Sequence, residues 1–270
     1  MRGAAAGEQT VRISVLAEHG SRYGLKLLNL LAWRGVPVEQ VVTFTDIWRM
    51  RLRWARRSAR CLGWAGAAIY LAQRRWRSPF RGQGFHWRGR ELERDWARLA
   101  RRHDHAPTPR SPRTVEVLRL GAPDLCLLVG TGIIPPPVLA VPRVTTLNAH
   151  PGVLPAYRGL DPEMWALHEG RLDQVGCTLH VVDPGVDTGP VLEVRPYAWR
   201  GDETLNRLIV RLSETCLDLL AAACREAWPE YLGTARPQGA GQSHSMFPPW
   251  LRPGVERELG RVRAAREGPR

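Results

Sequence analysis

The sequence predicts an α/β fold built on an open, mostly parallel sheet of Rossmann-like type, and three observations carry that expectation. Short apolar or β-branched runs recur at residues 11–17, 38–45, 125–129 and 144–147. Segments with helical spacing of leucines stand between and after them, as in βα units. Polar and glycine-rich turns follow the runs, at Glu18-His19-Gly20-Ser21, at Gly130-Thr131-Gly132 and at Asn148. Those turns would lie at the carboxyl ends of the strands, where open α/β sheets bind ligands.

In chain order, residues 11–17 read as the first strand. Ser21 is the candidate N-cap of an amphipathic helix carrying Leu25, Leu27, Leu28, Leu30 and Leu31 and ending at Gly35. Residues 38–45 are β-branched and form the second strand. Residues 114–120 give a helix tail before Pro123-Asp124, and residues 125–129 a buried strand. A further strand at 144–147 delivers Asn148 at its end, and another at 177–182 leads through the Pro184-Gly185 turn to Asp187. Leu205, Leu208, Ile209, Leu212, Cys216, Leu219, Leu220 and Ala223 follow the i, i+3, i+4, i+7 rule of a core helix, with Asp202 and Glu203 suited to its N-terminus. Residues 252–270 are charged or small, so disorder or a loosely docked helix is expected there.

Candidate chemistry centres on Asn148, His150 and Asp187. An amide N–H can donate to an oxyanion. An imidazole can share that task and carry a proton, and a carboxylate beside it favours the charged ring. Each residue read singly has a plain alternative: a turn for Asn148 and Asp187, a surface imidazole for His150. His180, on the 176–182 strand, reads as structural or supporting rather than catalytic.

The wider stretch resembles the catalytic segment of the folate-dependent formyltransferases. The matching elements are Asn148-x-His150-Pro151, Leu154-Pro155, Arg158-Gly159, Trp165-Ala166, Gly176-x-Thr178-x-His180 and Asp187-x-Gly189-Pro190. This family includes methionyl-tRNA, glycinamide ribonucleotide and amino-sugar formyltransferases. The resemblance covers roughly residues 115–195, with weaker agreement over the first 45. It implies that Asn148, His150 and Asp187 take the family's three catalytic roles, with N10-formyltetrahydrofolate as formyl donor. Gly152 departs from the pattern, since many members carry Ser there; the departure is expected to touch backbone fit more than chemistry. For the folate, the resemblance points to Gly130, Thr131, Gly132 and Ile133 and to the loop holding Val182, Asp183 and Val186. Ile133, Ile134 and Leu154 would be apolar walls for the pterin. The segment from Arg236-Pro237-Gln238 through Phe247-Pro248-Pro249 resembles a short post-catalytic piece that packs back near the site in several members.

The expected acceptor is a primary amine on a small or medium molecule: an amino sugar, an aminoglycoside-like compound or a peptidyl amine. A tRNA acceptor is not expected, because little chain after Tyr231 remains for the extra barrel domain of the tRNA-specific members. The alternatives are hydrolysis of formyltetrahydrofolate, and a membrane- or partner-binding role for a basic block in the chain.

That block explains much of the +13 net charge. Residues 47–113 hold 18 arginines against Glu91, Glu93, Asp95 and Asp104, and Trp48, Trp54, Trp64, Trp76, Trp87 and Trp96 fall within it. It reads as a basic helical insertion after the second strand, within a catalytic domain of residues 1–232 followed by an extension of residues 233–270. Its uncharged run, residues 61–72, is too short to span a bilayer, which needs about 20 apolar residues. The plain reading packs Trp64, Ile69 and Leu71 on the domain; the other readings are a lid or membrane-surface contact through residues 48–96, or an anionic acceptor. Cys61, Cys126, Cys177, Cys216 and Cys224 show no metal-ligand spacing and read as reduced thiols of a cytoplasmic protein. Residues 1–10 lack an apolar core, so no signal peptide is expected. His103 and His105 have no third ligand at metal-binding spacing, and no metal is expected.

Overall fold

The computed structural model describes residues 11–46 and 86–267, with positions 56, 59, 60, 63–65 and 68 between them. Seven strands form one sheet among these residues: β1 (Ile13–Glu18), β2 (Gln40–Phe44), β5 (Arg102–Ala106), β6 (Leu125–Val129), β7 (Thr145–His150), β9 (Gly176–Val181) and β10 (Val191–Pro196). Their spatial order is β10-β9-β7-β6-β1-β2-β5. The pairs from β7 through β6, β1 and β2 to β5 are parallel, and β9 runs antiparallel to both β7 and β10. Two small pairings complete the strands: a hairpin of β3 (His86–Trp87) with β4 (Arg90–Glu91), and β8 (Tyr157–Gly159) with β11 (Gln242–His244).

Strand alternation divides the core into two layers. On one face Ile13, Val15, Ala17, Val41, Leu125, Leu127, Leu147 and Leu179 pack under helices α1 (Arg22–Trp33) and α6 (Leu205–Ala223). On the other, Leu16, Val42, Phe44, Cys126 and Leu128 meet Val117 and Leu118 of α3 (Pro112–Gly121) and Ile134 and Val138 at the short α4 (Pro136–Leu139). Capping follows the sequence at α1, where the Ser21 hydroxyl accepts from Gly24 N–H. At α6 the cap is Thr204, accepting from Arg207 N–H, and not the acidic pair before it. Glu203 is instead buried, accepts the N–H groups of Arg200 and Gly201, and pairs with Arg211.

Three expectations are revised. The stretch 47–113 is not wholly a helical insertion, because residues 86–113 contain the β3–β4 hairpin, the single turn α2 (Trp96–Leu99) and the sheet strand β5. Arg102-His103-Asp104-His105-Ala106 shows no apolar run because β5 is an edge strand, paired among the described residues only with β2 and at least partly exposed at every position but Ala106. Of the two alternatives for the last stretch, disorder or a loosely docked helix, residues 252–267 take the helical one: α7 (Arg252–Glu267) docks against α5 (Pro162–His168) and α6, with Val255, Leu259 and Val262 buried. Those three are spaced four and three apart, one helical stripe that low overall hydropathy concealed. Trp64 is 73% exposed and so does not pack on the domain, while Ile69 and Leu71 lie outside the described residues. Cys126, Cys177, Cys216 and Cys224 are buried and free of disulfides. Among the described residues, no helix is long and apolar enough to cross a membrane.

Candidate active site

Asn148 and His150 leave β7 on the face opposite Leu147, and Asn148 stands directly across from His180 of β9, His150 across from Thr178. Thr178 fixes the turn after β7, donating to Gly152 O at 2.7 Å and accepting from Leu154 N at 3.1 Å. The β9–β10 connection then swings Asp187 over the same face, so residues 37 positions apart in sequence meet. Asp187 Oδ2 lies 3.6 Å from His150 Nδ1 and Oδ1 lies 3.6 Å from His180 Nε2. Asp187 holds a left-handed backbone, φ 52°, and Gly159 N–H donates to its Oδ2 at 2.9 Å.

The hydrogen bonds decide which ring nitrogens carry protons. His150 Nε2 lies 2.8 Å from the Tyr157 carbonyl, which can only accept, so Nε2 carries the hydrogen and the neutral ring presents a bare Nδ1 toward Asp187. Burial holds the His150 pKa below its ordinary value, partly countered by Asp187 and by the Tyr157 carbonyl. The Asp187 carboxyl is pushed upward by burial, yet the facing ring of His180, the charges of His150 and His180 and the Gly159 N–H together bring it down to about 2. An ionised carboxylate therefore faces an unprotonated, buried imidazole nitrogen. That arrangement stores a place for one proton, since an imidazolium at His150 would have both N–H groups directed at oxygen.

His180 is more involved than a supporting strand residue need be. Its Nδ1 donates to Val181 O at 2.8 Å, which leaves Nε2 to accept from Asn148 Nδ2 at 3.1 Å when neutral or to donate toward Asp187 when charged. His180 Nε2 thus stands between the Asn148 amide and the Asp187 carboxylate. The sequence offered the His180 position but not this contact, which depends on pairing register.

The residues around the triad divide clearly. Gly130 and Gly132 take positive φ, 65° and 75°, with open space where a side chain would stand, and lie at the carboxyl end of β6 beside the end of β7. Thr131, Ile134 and Leu154 are buried, whereas Ile133 is 41% exposed. Val182 packs against the same apolar cluster as Ile134, bringing the two expected folate loops together on the Asn148 face. Val186 is half-buried. Asp183 is engaged within its own loop, accepting from Thr188 Oγ at 2.7 Å and Gly185 N at 3.1 Å, so its carboxylate shapes the turn leading to Asp187. Gly152 bears on chemistry as well as on backbone fit: a Cβ there would stand 2.9 Å from His150 Nε2 and 2.7 Å from Pro162 Cβ. His103 and His105 converge with His19 on the Thr43 hydroxyl, at 3.1, 2.7 and 3.5 Å, and Trp96 stacks on His103. Among the described residues, no group of three His, Cys, Asp or Glu is arranged to hold a metal.

The post-catalytic segment returns to the site. β11 pairs with β8, His244 stacks on Tyr157, and Gln238 reaches the Asp187 loop.

With this geometry in hand, a family model described as formyl transferase matches residues 89–223, half of the chain. The chain belongs to the formyl transferase family. It is 35% identical over 154 residues to the methionyl-tRNA formyltransferase of Myxococcus xanthus, covering 57% of this chain and 47% of that one. It is 40% identical over 110 residues to the enzyme of the same name from Thermosynechococcus vestitus, covering 40% and 33%. The chain thus matches a third to about half the length of these relatives. Among solved structures, glycinamide ribonucleotide transformylase 1 from Symbiobacterium toebii has a TM-score of 0.55 at 19% identity, covering 88% of this chain and 99% of that one. A sugar N-formyltransferase from a Shewanella species has a TM-score of 0.51 at 14% identity, covering 87% and 76%. At such identities the structural likeness establishes the formyltransferase fold, whose mostly parallel sheet this chain shares.

Proposed function

We propose that the protein transfers a formyl group from N10-formyltetrahydrofolate to a primary amine, with Asn148, His150 and Asp187 as the catalytic residues. The observation that carries this reading is the bare Nδ1 of buried His150 facing an ionised Asp187. The donor supplies an activated formyl carbon. As the amine nitrogen bonds to that carbon, the carbonyl oxygen takes up negative charge, which the Asn148 amide N–H stabilises, joined by His150 Nδ1–H once that nitrogen has taken up a proton. The amine must lose a proton, and His150 Nδ1 accepts it; the imidazolium so formed pairs with Asp187. When the carbon–nitrogen bond to the folate breaks, the departing nitrogen needs a proton, and His150 can return the same one. Protons and charge balance without any further reagent.

Support for the folate site is compositional as well as geometric. The open backbone edge at Gly130 and Gly132 offers amide donors and acceptors of the kind a pterin edge matches, and Ile134, Val182 and Leu154 provide apolar surface nearby.

For the acceptor, we favour a small or medium-sized amine. A second reading, methionyl-tRNA, is favoured by the names of the curated relatives at 35–40% identity. One experiment addresses both: purified protein is incubated with N10-formyltetrahydrofolate and, separately, amino sugars, glycinamide ribonucleotide, peptidyl amines and methionyl-tRNA, and formylated product is followed by mass. Formylation of one acceptor class chooses the acceptor. Release of free formate from the donor with no formylated amine would replace transfer by hydrolysis.

A further inference from the structure

Gln238 lies in the segment that returns to the site after α6, and its carboxamide joins two parts of the proposed machinery. Nε2 donates to Asp187 O at 2.9 Å and to Gly189 O at 2.6 Å, using both of its hydrogens on the loop that carries the carboxylate. Oε1 accepts from Arg158 Nε at 3.1 Å and Nη2 at 2.9 Å. Arg158 precedes Gly159, whose N–H holds Asp187 Oδ2. Asp187 is therefore gripped twice: through its carboxylate by β8 and through its carbonyl by an amide that is itself bound to β8.

The grip also holds Asp187 in a left-handed backbone, which Asp tolerates better than most non-glycine residues but does not prefer. Its carboxylate stands 3.6 Å from both His150 and His180, just beyond hydrogen-bond range. Small shifts of the loop decide which imidazole it can serve. The loop has little freedom at its far end, where Gly189 packs directly on the Val181 carbonyl.

We propose that Gln238 is a positioning residue that sets the Asp187 carboxylate between His150 and His180. This rests on the reading of Asp187 as the partner of His150 in proton transfer. The carboxamide is required because the loop presents two carbonyls, which need donors, while Arg158 needs an acceptor. No other uncharged side chain of that length offers both.

Two variants separate the parts. Gln238→Met keeps the approximate volume and removes every hydrogen bond; Gln238→Glu keeps the acceptor for Arg158 and removes both donors. Formyl transfer kinetics are measured on each, and on Gln238→Met in the absence of folate the His150 ring is titrated by NMR alongside thermal unfolding. The expected result is a fall in kcat of roughly ten- to a hundredfold in both, with KM values little changed, since a displacement of about 1 Å can have that effect. In Gln238→Met the His150 titration moves to lower pH, because burial remains while the support of Asp187 weakens, and the melting temperature stays near that of the wild type. An unchanged His150 titration overturns the proposal whether or not the wild type proves to be a transferase. If the wild type formylates nothing and His150 still shifts in Gln238→Met, the transferase reading falls and the positioning of Asp187 stands. A loss of kcat that follows only a loss of folded protein also overturns it.

Discussion

Replacing Asp187 by Asn tests the centre of the site with the least disturbance. Asn keeps the size of the side chain and tolerates the left-handed backbone that position 187 requires. It removes the negative charge that faces His150 and His180. In the folded protein the carboxyl titrates at about 2, against an ordinary value of 3.8. At 1.36 kcal/mol per unit this depression corresponds to roughly 2 kcal/mol favouring the charged form. A carboxyl depressed on folding contributes stability that is complete above its unfolded pKa, near 4, and lost as pH falls toward the folded value. Asp187→Asn should therefore be less stable than the wild type by about that amount at neutral pH, with the gap narrowing below pH 4. Urea unfolding of both proteins at a series of pH values reads the difference directly. Turnover should drop by about 10²–10⁴, the usual worth of a group that supports general acid–base catalysis. Full formyl transfer by Asp187→Asn would refute the role given to the residue, and a stability gap that stays constant as the pH is lowered through 4 would refute the electrostatic argument.

Three further outcomes are expected. Gly152→Ala puts a methyl group against Pro162 and His150 Nε2, and should cost about 1–3 kcal/mol in denaturant unfolding while lowering turnover; an unaltered protein would mean that the turn after β7 yields easily. Leu259→Ala should destabilise by roughly 2–5 kcal/mol if α7 is a working part of the core, and a change near zero would return the helix to the status of a loose appendage. Because burial holds the His150 pKa down, the unfolded chain takes up that proton first, so stability contributed by neutral His150 is intact above pH 6.5 and eroded below it. The acid limb of kcat/KM should lie below pH 6.5 for the same reason, and a midpoint above that value in a pH–rate profile would contradict the assignment.

The sequence made some parts of this molecule legible and hid others for physical reasons. Strands β1, β2 and β6 are covered on both faces, so their apolar runs announce them. Edge strands β5 and β10 escape such reading because exposure permits Arg102, Asp104, Glu193 and Arg195 in them. Helix α7 was concealed by its charges, although the stripe Val255, Leu259 and Val262 was present to be counted. Asn148, His150 and Asp187 stood out through the resemblance of the whole stretch rather than singly. Their proposed chemistry was not legible, because it rests on which atom faces which: the Tyr157 carbonyl that fixes the His150 tautomer, and the register that sets His180 against Asn148. Gln238 is 51 residues from Asp187 in the chain, and no periodicity connects them.

The order of these pieces along the chain has a consequence for assembly. All seven strands of the sheet and the helices α1 and α6 are complete at Ala223, whereas β8 gains its strand partner and the Asp187 loop its carboxamide only from residues 238–244. A chain emerging from the ribosome would thus have the parts of its sheet and of α1 and α6 before residues 238–244 reach β8 and the Asp187 loop. The proposed site is completed after the sheet, by a segment that pairs with the sheet only where Arg236 bridges Val191 of β10 among the described residues.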